Sequence, residues 1–387
     1  MKDGAFIVGA FEHPTRHAPD KSVAELHVES ALGALADAGL GMDDVDGYFW
    51  SGMMPNLGIV SLIDYMNLKV RHLDSTDAGG ASPLIHVKHA VEAIAAGKCD
   101  VALVTLAGRP RSDRQATGTG QRQGNALQPD SPWESPFGPV TANVYGMCAM
   151  RHMHEFGTTS EQLAWVKVAA SHHAQHNEMA ALRDVVTIED VLASPIVSDP
   201  LHRLDCCVIT DGGGALVVAR PEIARSLKRP LVRPIGMGEA VMGQDGGDID
   251  LTISAGSLSG PRAFDQAGVA RADIKYASVY DSFTITVVIE LEDLGFCEKG
   301  KGGRFVADGN LIAGVGKLPW NTDGGGLCNN HPANRGGMTK IIEAVRQLRG
   351  EAHPAVQVPN CDLALAHGTG GLMGMRHSAA TLILEGQ

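Results

Sequence analysis

Apolar residues occur along the chain in two patterns, short continuous runs and helical spacing. Residues 5–10, Ala-Phe-Ile-Val-Gly-Ala, form a short apolar run that predicts a buried strand. Residues 22–40 predict an amphipathic helix, because apolar side chains recur at helical spacing between Ser22, a favourable cap, and Gly39, a favourable stop. Strands are also predicted just before 280–283 and at 363–366. Further helices are predicted at 141–156, 160–183, 187–193, 284–294 and 338–350.

Three early segments of the chain recur, in the same order, near its end. Residues 38–52 align without gaps on 267–281, residues 75–80 on 321–326, and residues 98–104 on 360–366. Collinear matches of this kind indicate an internal duplication. Each copy runs helix, strand, glycine-rich turn, helix, strand, which is typical of a mainly parallel or mixed sheet covered by helices. The predicted fold class is therefore α/β, built from two similar halves.

The segment 109–204 has no counterpart in the second copy, and its helical patterns predict an inserted domain over the first half. We therefore expect an N-terminal half formed by residues 1–108 and 205–250, the insertion at 109–204, and a C-terminal half at 251–387. A chain of 387 residues is long for one core, which agrees with several substructures.

Composition narrows the classes of function. Hydrophobic residues make up 44% and charged residues 20%, as in ordinary globular proteins, and the net charge of −12 argues against a nucleic-acid partner. No run approaches the roughly 18 apolar residues of a membrane span, and the N-terminal apolar run is too short for a secretory segment. The seven cysteines include no CxxC pair, so neither a zinc ribbon nor a disulfide framework is indicated. We expect a cytoplasmic protein.

Motifs for bound cofactors are incomplete in this sequence. Residues 295–301 match GxxxxGK, but Gly302 stands where a magnesium-binding hydroxyl belongs, and residues 368–374 lack the GxGxxG spacing. His172 and His176 share a predicted helix face, but no acidic residue completes a ligand set at a fixed spacing. We predict no metal and no cofactor held by the chain itself.

The most distinctive stretch is the glycine-dense turn at 321–337, which carries His331 and leads into a predicted helix. Glycine is favoured where the backbone bends sharply or lets a ligand approach closely, so the turn indicates the floor of a pocket. Tyr280 and Asp281 lie at a strand-to-helix junction, where sites are often built. His367 follows a predicted strand. Each of these residues could instead be a buried, hydrogen-bonded structural residue.

Several motifs taken together resemble the thiolase superfamily. They are Asp-Cys-Cys-Val-Ile-Thr-Asp-Gly-Gly-Gly-Ala at 205–215, the run from Tyr-Asp-Ser-Phe to Gly-Phe-Cys at 280–297, Asn-His-Pro at 330–332, 343–350, and Ala-His-Gly-Thr-Gly-Gly at 366–371. Within the superfamily, the chain is most similar to the sterol-carrier-protein-x-type "lipid-transfer protein" branch. This resemblance implies a five-layered α-β-α-β-α fold, a loop domain over the active site, a coenzyme A (CoA) thioester as substrate, and a homodimer.

The sequence departs from the family where thiolases carry their nucleophilic cysteine. The Cys-Ala-Ser-Gly turn of thiolases corresponds here to Gly-Ala-Ser-Pro at 80–83, so the usual acyl-enzyme intermediate cannot form. Tyr280 stands where sterol carrier thiolases have a histidine, and this exchange resembles the steroid side-chain aldolases, which work with zinc-ribbon/OB-fold partner proteins. Those aldolases imply a second active-site tyrosine, but Asn329 and Asn330 stand in its neighbourhood. His331 and His367 correspond to the family's two histidines.

These features lead to the hypothesis of a thiolase-fold enzyme that performs aldol or retro-aldol chemistry on a steroid- or lipid-like β-hydroxyacyl-CoA. A retro-aldol step needs a base for the β-hydroxyl and a donor for the thioester enolate. Tyr280 is predicted to move the proton, and His331 or His367 to hold the enolate oxygen. The resemblance also places Asp281 and Asn330 in the catalytic site. The residues predicted to contact the thioester or CoA are Gly80, Ser82, Arg111, Arg114, Gly370 and Gly371.

Two alternatives stay open. The chain could be a non-catalytic acyl-CoA- or lipid-binding subunit of a complex, because a lost nucleophile can accompany lost catalysis. It could also be an acyltransferase with a relocated thiol, such as Cys328. The arginines at 109, 111, 114 and 122 lie in one polar loop, where they could bind CoA phosphates or dock a partner protein.

Overall fold

The computed structural model of the chain describes residues 4–52, 57–114, 131–138, 140–243, 245–332 and 336–387. Its strands are β1 Phe6–Glu12, β2 Gly47–Trp50, β3 His72–Asp74, β4 Val101–Gly108, β5 Ile196–Ser198, β6 Leu201–His202, β7 Gly212–Ala219, β8 Val232–Met242, β9 Tyr276–Val279, β10 Leu363–Gly371 and β11 His377–Gly386. Its α-helices are α1 Val23–Ala38, α2 Ile59–Tyr65, α3 Ser82–Ala95, α4 Ser131–Glu134, α5 Thr141–Phe156, α6 Ser160–Ala174, α7 Ile188–Ala193, α8 Pro221–Ala224, α9 Gly256–Ala267, α10 Thr284–Asp293, α11 Gly302–Val306 and α12 Gly337–Arg349.

The strand order confirms the internal duplication. Nine strands follow the order β3-β2-β4-β7-β1-β8-β11-β10-β9, and Ile7 of β1 pairs with Val232 of β8 where the two halves meet. In the first half β2 is parallel to β4, β4 antiparallel to β7, and β7 antiparallel to β1. In the second half β9 is parallel to β10, β10 antiparallel to β11, and β11 antiparallel to β8. Trp320 bridges in parallel to Ala277 of β9, as β3 pairs with β2 in the first half.

The core consists of three main apolar layers that alternate with the two halves of the sheet. One layer joins α1 to the outer face of the first half. A second contains α3 and α12 and the inner faces of both halves. The third joins α9, α10 and helices of the insertion to the outer face of the second half. The layers are therefore α-β-α-β-α, as predicted, with α3 and α12 buried in the middle.

Helix α1 shows how local sequence sets the element. The Ser22 hydroxyl accepts a hydrogen bond from the Glu25 amide, and the Glu25 carboxylate accepts one from the Ser22 amide, which satisfies two free donors of the first turn. The helix ends where Gly39 adopts a left-handed conformation with φ 73°. Both ends agree with the sequence prediction.

Two predicted boundaries were wrong. The helix predicted at 160–183 ends at Ala174, because the following segment bonds to other parts of the chain: Asn177 Nδ2 donates to Asp323 O, and the Leu182 amide donates to Cys328 O. The strand predicted at 363–366 continues to Gly371, so His367 lies inside β10.

The inserted segment is tied to the glycine-rich turn of the second half. Its helix α6 packs against α10, α11 and the π-turn Gly325–Asn329. Lys167 of α6 is buried and donates to Leu327 O at 2.7 Å. Among the residues that the structure describes, none of the helices combines the length and apolar character needed to cross a bilayer.

Candidate active site

The candidate site lies where the first turns of α3 and α12 approach the ends of β9 and β10. The backbone at Gly79 and Gly80, just before α3, lies directly against β10: a Cβ added to Gly370 would stand 1.8 Å from Ala78 O. Gly336, the N-cap of α12, lies against the rings of Tyr280 and His331. The positive ends of two central helices therefore converge beside these rings.

Tyr280 and His331 form a direct pair at this point. The Tyr280 hydroxyl lies 2.9 Å from His331 Nε2, and the two rings meet edge to face with centroids 5.5 Å apart. Tyr280 is 4% exposed and His331 8% exposed, so both are almost enclosed. Burial, aided by the Lys340 charge, lowers the pKa of His331 to about 4. The imidazole is therefore neutral at neutral pH, and in the tautomer with the hydrogen on Nδ1 its Nε2 accepts a hydrogen bond from the Tyr280 hydroxyl.

Gly80, where the family resemblance places the thiolase cysteine, has no space for a side chain. A Cβ added to Gly80 would stand 2.3 Å from Thr369 O and 2.4 Å from Cε2 of Tyr280. Backbone on one side and the Tyr280 ring on the other therefore fill the volume that a nucleophilic side chain would need. The chain therefore lacks both a cysteine at this position and the space that a cysteine side chain would need.

Cys328, the thiol of the glycine-rich turn, is enclosed beside a buried ammonium group. It is 1% exposed, and Lys167 Nζ lies 3.1 Å from its sulfur. Burial raises the pKa of the Cys328 thiol despite this neighbouring ammonium. Because the thiolate is the nucleophilic form, a buried thiol that stays protonated is a poor attacking group.

Asp281 serves the turn that carries His331. Its Oδ1 accepts hydrogen bonds from the Gly326 amide at 2.8 Å and from Lys340 Nζ at 2.7 Å, and its Oδ2 accepts one from the Leu327 amide at 3.1 Å. Asp281 and Lys340 are both buried, so they form an enclosed ion pair. The carboxylate therefore orients the π-turn, and its three donors come from residues other than Tyr280 and His331.

Asn330 also acts within the scaffold. Its Nδ2 donates to Glu12 at 3.0 Å, and its Oδ1 accepts from the Thr210 hydroxyl at 2.7 Å. Thr210 in turn accepts from the amide of His331 at 2.9 Å. Thr210 is thus a site residue that sequence reasoning missed. The signal was present, because Thr210 belongs to the family motif at 205–215.

The structure separates the ring of His367 from the Tyr280–His331 pair. Along β10, Gly368 faces Gly80 and Leu84 in the central layer, and the ring of His367 points to the opposite face. There His367 Nε2 lies 2.8 Å from Glu290 and its Nδ1 2.9 Å from the Thr381 hydroxyl, fully buried. A catalytic role for His367 stays a prediction, but the residues of β10 that face the α3 turn are Gly368 and Gly370.

The remaining predicted contacts surround the site in different ways. Ser82 is buried, and its hydroxyl accepts from the Ala78 amide at 2.8 Å within the first turn of α3. The amide of Arg111 donates to Asp211, next to Thr210, and the side chains of Arg111 and Arg114 are exposed. Arg122 lies outside the described residues. Within the described ranges, no group of three or more possible ligands is arranged to hold a metal ion.

Comparisons with known proteins identify the family of the chain. A family model for the thiolase C-terminal domain matches residues 239–386. An acetyl-CoA acetyltransferase of Methanothermobacter thermautotrophicus is 33% identical, with 97% of this chain and 98% of that protein covered. A steroid side-chain-cleaving aldolase of Thermomonospora curvata is 37% identical, with 85% of this chain and 86% of that protein covered.

A solved structure titled "Ltp2-ChsH2(DUF35) aldolase" superposes with a TM-score of 0.87 at 32% identity, covering 99% of this chain and 98% of that one. Fold, motifs and full-length relatives lead to one conclusion: the chain belongs to the thiolase superfamily, in its sterol-carrier-protein-like branch near the steroid side-chain aldolases.

Proposed function

We propose that the chain is a CoA-thioester aldolase, which breaks or forms a carbon–carbon bond in a β-hydroxyacyl-CoA without an acyl-enzyme intermediate. One observation carries this proposal: the Tyr280 ring fills the space beside Gly80 where a thiolase nucleophile would stand, and its hydroxyl is paired at 2.9 Å with His331. The site therefore offers proton transfer where a thiolase offers covalent attack.

In the cleavage direction, the reaction begins at the β-hydroxyl group. Tyr280 takes the hydroxyl proton as its own proton passes to the neutral ring of His331, which holds it only transiently because burial lowers the pKa of His331. The Cα–Cβ bond then breaks, its electron pair forms the thioester enolate, and a ketone or aldehyde leaves. His331 then returns its proton, by way of Tyr280, to the enolate carbon, which gives the shortened acyl-CoA and restores both side chains. The positive ends of α3 and α12 favour the negative enolate oxygen.

The relatives support a class of substrate and a class of partner. One relative is named as an aldolase that cleaves steroid side chains, so we propose a steroid- or lipid-like acyl group. The structural relative is named as an aldolase with ChsH2(DUF35), so we propose a small zinc-ribbon/OB-fold partner for this chain. We also propose a homodimer, which the family resemblance implies. No cofactor is needed beyond the CoA of the substrate, whose phosphates Arg111 and Arg114 would bind.

The seven cysteines are all free, which supports a cytoplasmic location for the protein.

The test is a product assay with β-hydroxyacyl-CoA, with the chain alone and with candidate zinc-ribbon/OB-fold partners. We expect a ketone or aldehyde and a shortened acyl-CoA, and a loss of roughly 10²- to 10⁴-fold in kcat for Tyr280→Phe. Tyr65→Phe is the matched control, because Tyr65 is 65% exposed and distant in sequence. An acyl-enzyme trapped by mass spectrometry, or full activity of Tyr280→Phe, would overturn the proposal.

Acyl transfer is the second candidate function, because a full-length relative is named as an acetyltransferase. It requires a thiol, and Cys328 is the one in the glycine-rich turn. Acyl transfer that disappears in Cys328→Ser would favour this candidate. If neither product forms with any partner, the chain is a non-catalytic acyl-CoA-binding subunit.

A further inference from the structure

A ring of charged side chains lies beneath the turn that carries His331. Glu12, at the end of β1, accepts hydrogen bonds from four groups: Arg16 at 2.7 Å, Asn330 at 3.0 Å, Arg346 at 3.2 Å and Asn329 at 3.3 Å. Because Asn329 and Asn330 immediately precede His331, this buried carboxylate fixes the backbone that leads into the histidine. The ring thus joins β1 and α12 to the site.

Two further carboxyl groups complete the ring. Asp323 accepts from the Gly325 amide at 2.9 Å and from Asn329 Nδ2 at 3.0 Å. Glu343 of α12 accepts from the Thr322 hydroxyl and, at 3.3 Å, from Arg346. The residues Asp323 and Glu343 are 4% and 3% exposed, so water cannot solvate two full charges there.

The charges of the ring do not balance if every group is ionised. The three carboxylates of Glu12, Asp323 and Glu343 face two guanidinium groups, those of Arg16 and Arg346, which leaves one negative charge uncompensated. The neighbouring cations are engaged elsewhere: Lys340 is paired with Asp281, and Lys167 contacts Leu327 O and Cys328 Sγ. The Tyr276 hydroxyl carries no charge and accepts from the Thr322 amide.

One proton on the Asp323–Glu343 pair would neutralise the ring. Burial, together with the Asp323 charge, raises the pKa of Glu343 to about 7, and burial also raises the pKa of Asp323. Two interacting acids titrate as a pair, so the proton belongs to both, with Glu343 the group that holds it near neutral pH.

We infer that Glu343 is a positioning residue, which carries one proton beside the Asp323 carboxylate and thereby holds the turn that carries His331 in place. When that proton leaves, two adjacent buried carboxylates repel each other, and Asp323 loses its fixed contact with Asn329. The Tyr280–His331 distance is then no longer maintained. The inference rests on the proposed function for its effect on activity, but not for its effect on stability.

The experiment compares the unchanged chain with Glu343→Gln, which keeps the size of the side chain and mimics the protonated acid. We expect kcat of the unchanged chain to fall about tenfold or more between pH 6 and 8.5, as the protonated fraction falls, while kcat of Glu343→Gln stays level. Glu298→Gln, an exposed site with the same change of charge, should follow the unchanged chain. Parallel profiles for the unchanged chain and Glu343→Gln would overturn the inference.

A second measurement needs no substrate, so it separates this inference from the proposed function. The unfolded chain ionises Glu343 near pH 4.5 and the folded chain near 7, so the folded chain binds more protons between these values. The free energy of unfolding of the unchanged chain should therefore fall relative to Glu343→Gln as pH rises from 4.5 to 7. A constant difference would overturn the inference. If Glu343→Gln does not fold, infrared spectroscopy of the unchanged chain replaces the comparison. The band of a protonated carboxyl group should disappear with a midpoint near pH 7. A spectrum without this band at pH 6 would overturn the inference.

Discussion

Substitution of Gly80 by alanine tests the central geometric argument of the site. The added Cβ would stand 2.3 Å from Thr369 O, 2.4 Å from Cε2 and 2.7 Å from Cζ of Tyr280. These distances are far below ordinary contact, so either β10 or the tyrosine ring must move. The backbone of Thr369 is held by pairing between β10 and β11, so we expect the Tyr280 ring to yield.

The expected magnitudes follow from these contacts. Overpacking of this kind lowers the free energy of unfolding by about 1 to 3 kcal/mol. A displacement of the Tyr280 hydroxyl by about 1 Å breaks its alignment with His331 and with the substrate, which lowers kcat by about 10²-fold. The loss of activity should thus be much larger than the loss of folded protein. Gly80→Cys should lose activity in the same way, and mass spectrometry should find no acyl-enzyme.

The assay is kcat/KM for release of the carbonyl product from a β-hydroxyacyl-CoA, alongside unfolding in denaturant. Gly41→Ala is the matched control, because Gly41 is exposed and extended with φ −119°, and an added Cβ would meet only Asp44, at 3.9 Å. We expect this control to be within about 0.5 kcal/mol of the unchanged chain and fully active. If Gly80→Ala were as stable and as active as the control, the close contact between the α3 turn and Tyr280 would be refuted.

Three further predictions concern charge. Lys340→Met leaves the buried carboxylate of Asp281 unpaired and should lower the free energy of unfolding in denaturant by about 3 to 5 kcal/mol. The control Arg71→Met, at an exposed ion pair, should change the free energy of unfolding by about 1 kcal/mol or less. Because burial lowers the pKa of His331 to about 4, kcat/KM should decline on the acid side near pH 4 and not near 6.5. The free energy of unfolding should also decrease as pH falls from 6.5 to 4, because His331 is protonated in the unfolded chain before it is protonated in the folded chain. Arg111→Ala combined with Arg114→Ala should weaken CoA-thioester affinity about tenfold or more in calorimetry at low salt; unchanged affinity would assign this exposed loop to another role.

Local patterns in the sequence were sufficient for most elements of the fold. The helix at 22–40 was predicted with both of its ends, because a cap and a stop are encoded within the segment itself. The helices at 284–294 and 338–350 were also confirmed within a residue or two. The repeated segments predicted the two similar halves, since similar sequences bury similar faces, but not the order of their strands. The family motifs supplied the layer order, which periodicity alone could not.

Contacts between distant parts of the chain decided the site. Tyr280 and His331 were both candidates, but they are 51 positions apart, and only the meeting of β9 with the turn before α12 brings them within a hydrogen bond. His367 matched a family motif equally well, yet one step of alternation along β10 turns its ring to the opposite face of the sheet. The proton that we assign to Glu343 depends on three carboxyl groups from different segments. The sequence by itself determined which side chains were present and which elements carried them. The tertiary structure decided which side chains face one another, what volume is left at Gly80, and how the buried charges balance, because each of these depends on neighbours in space.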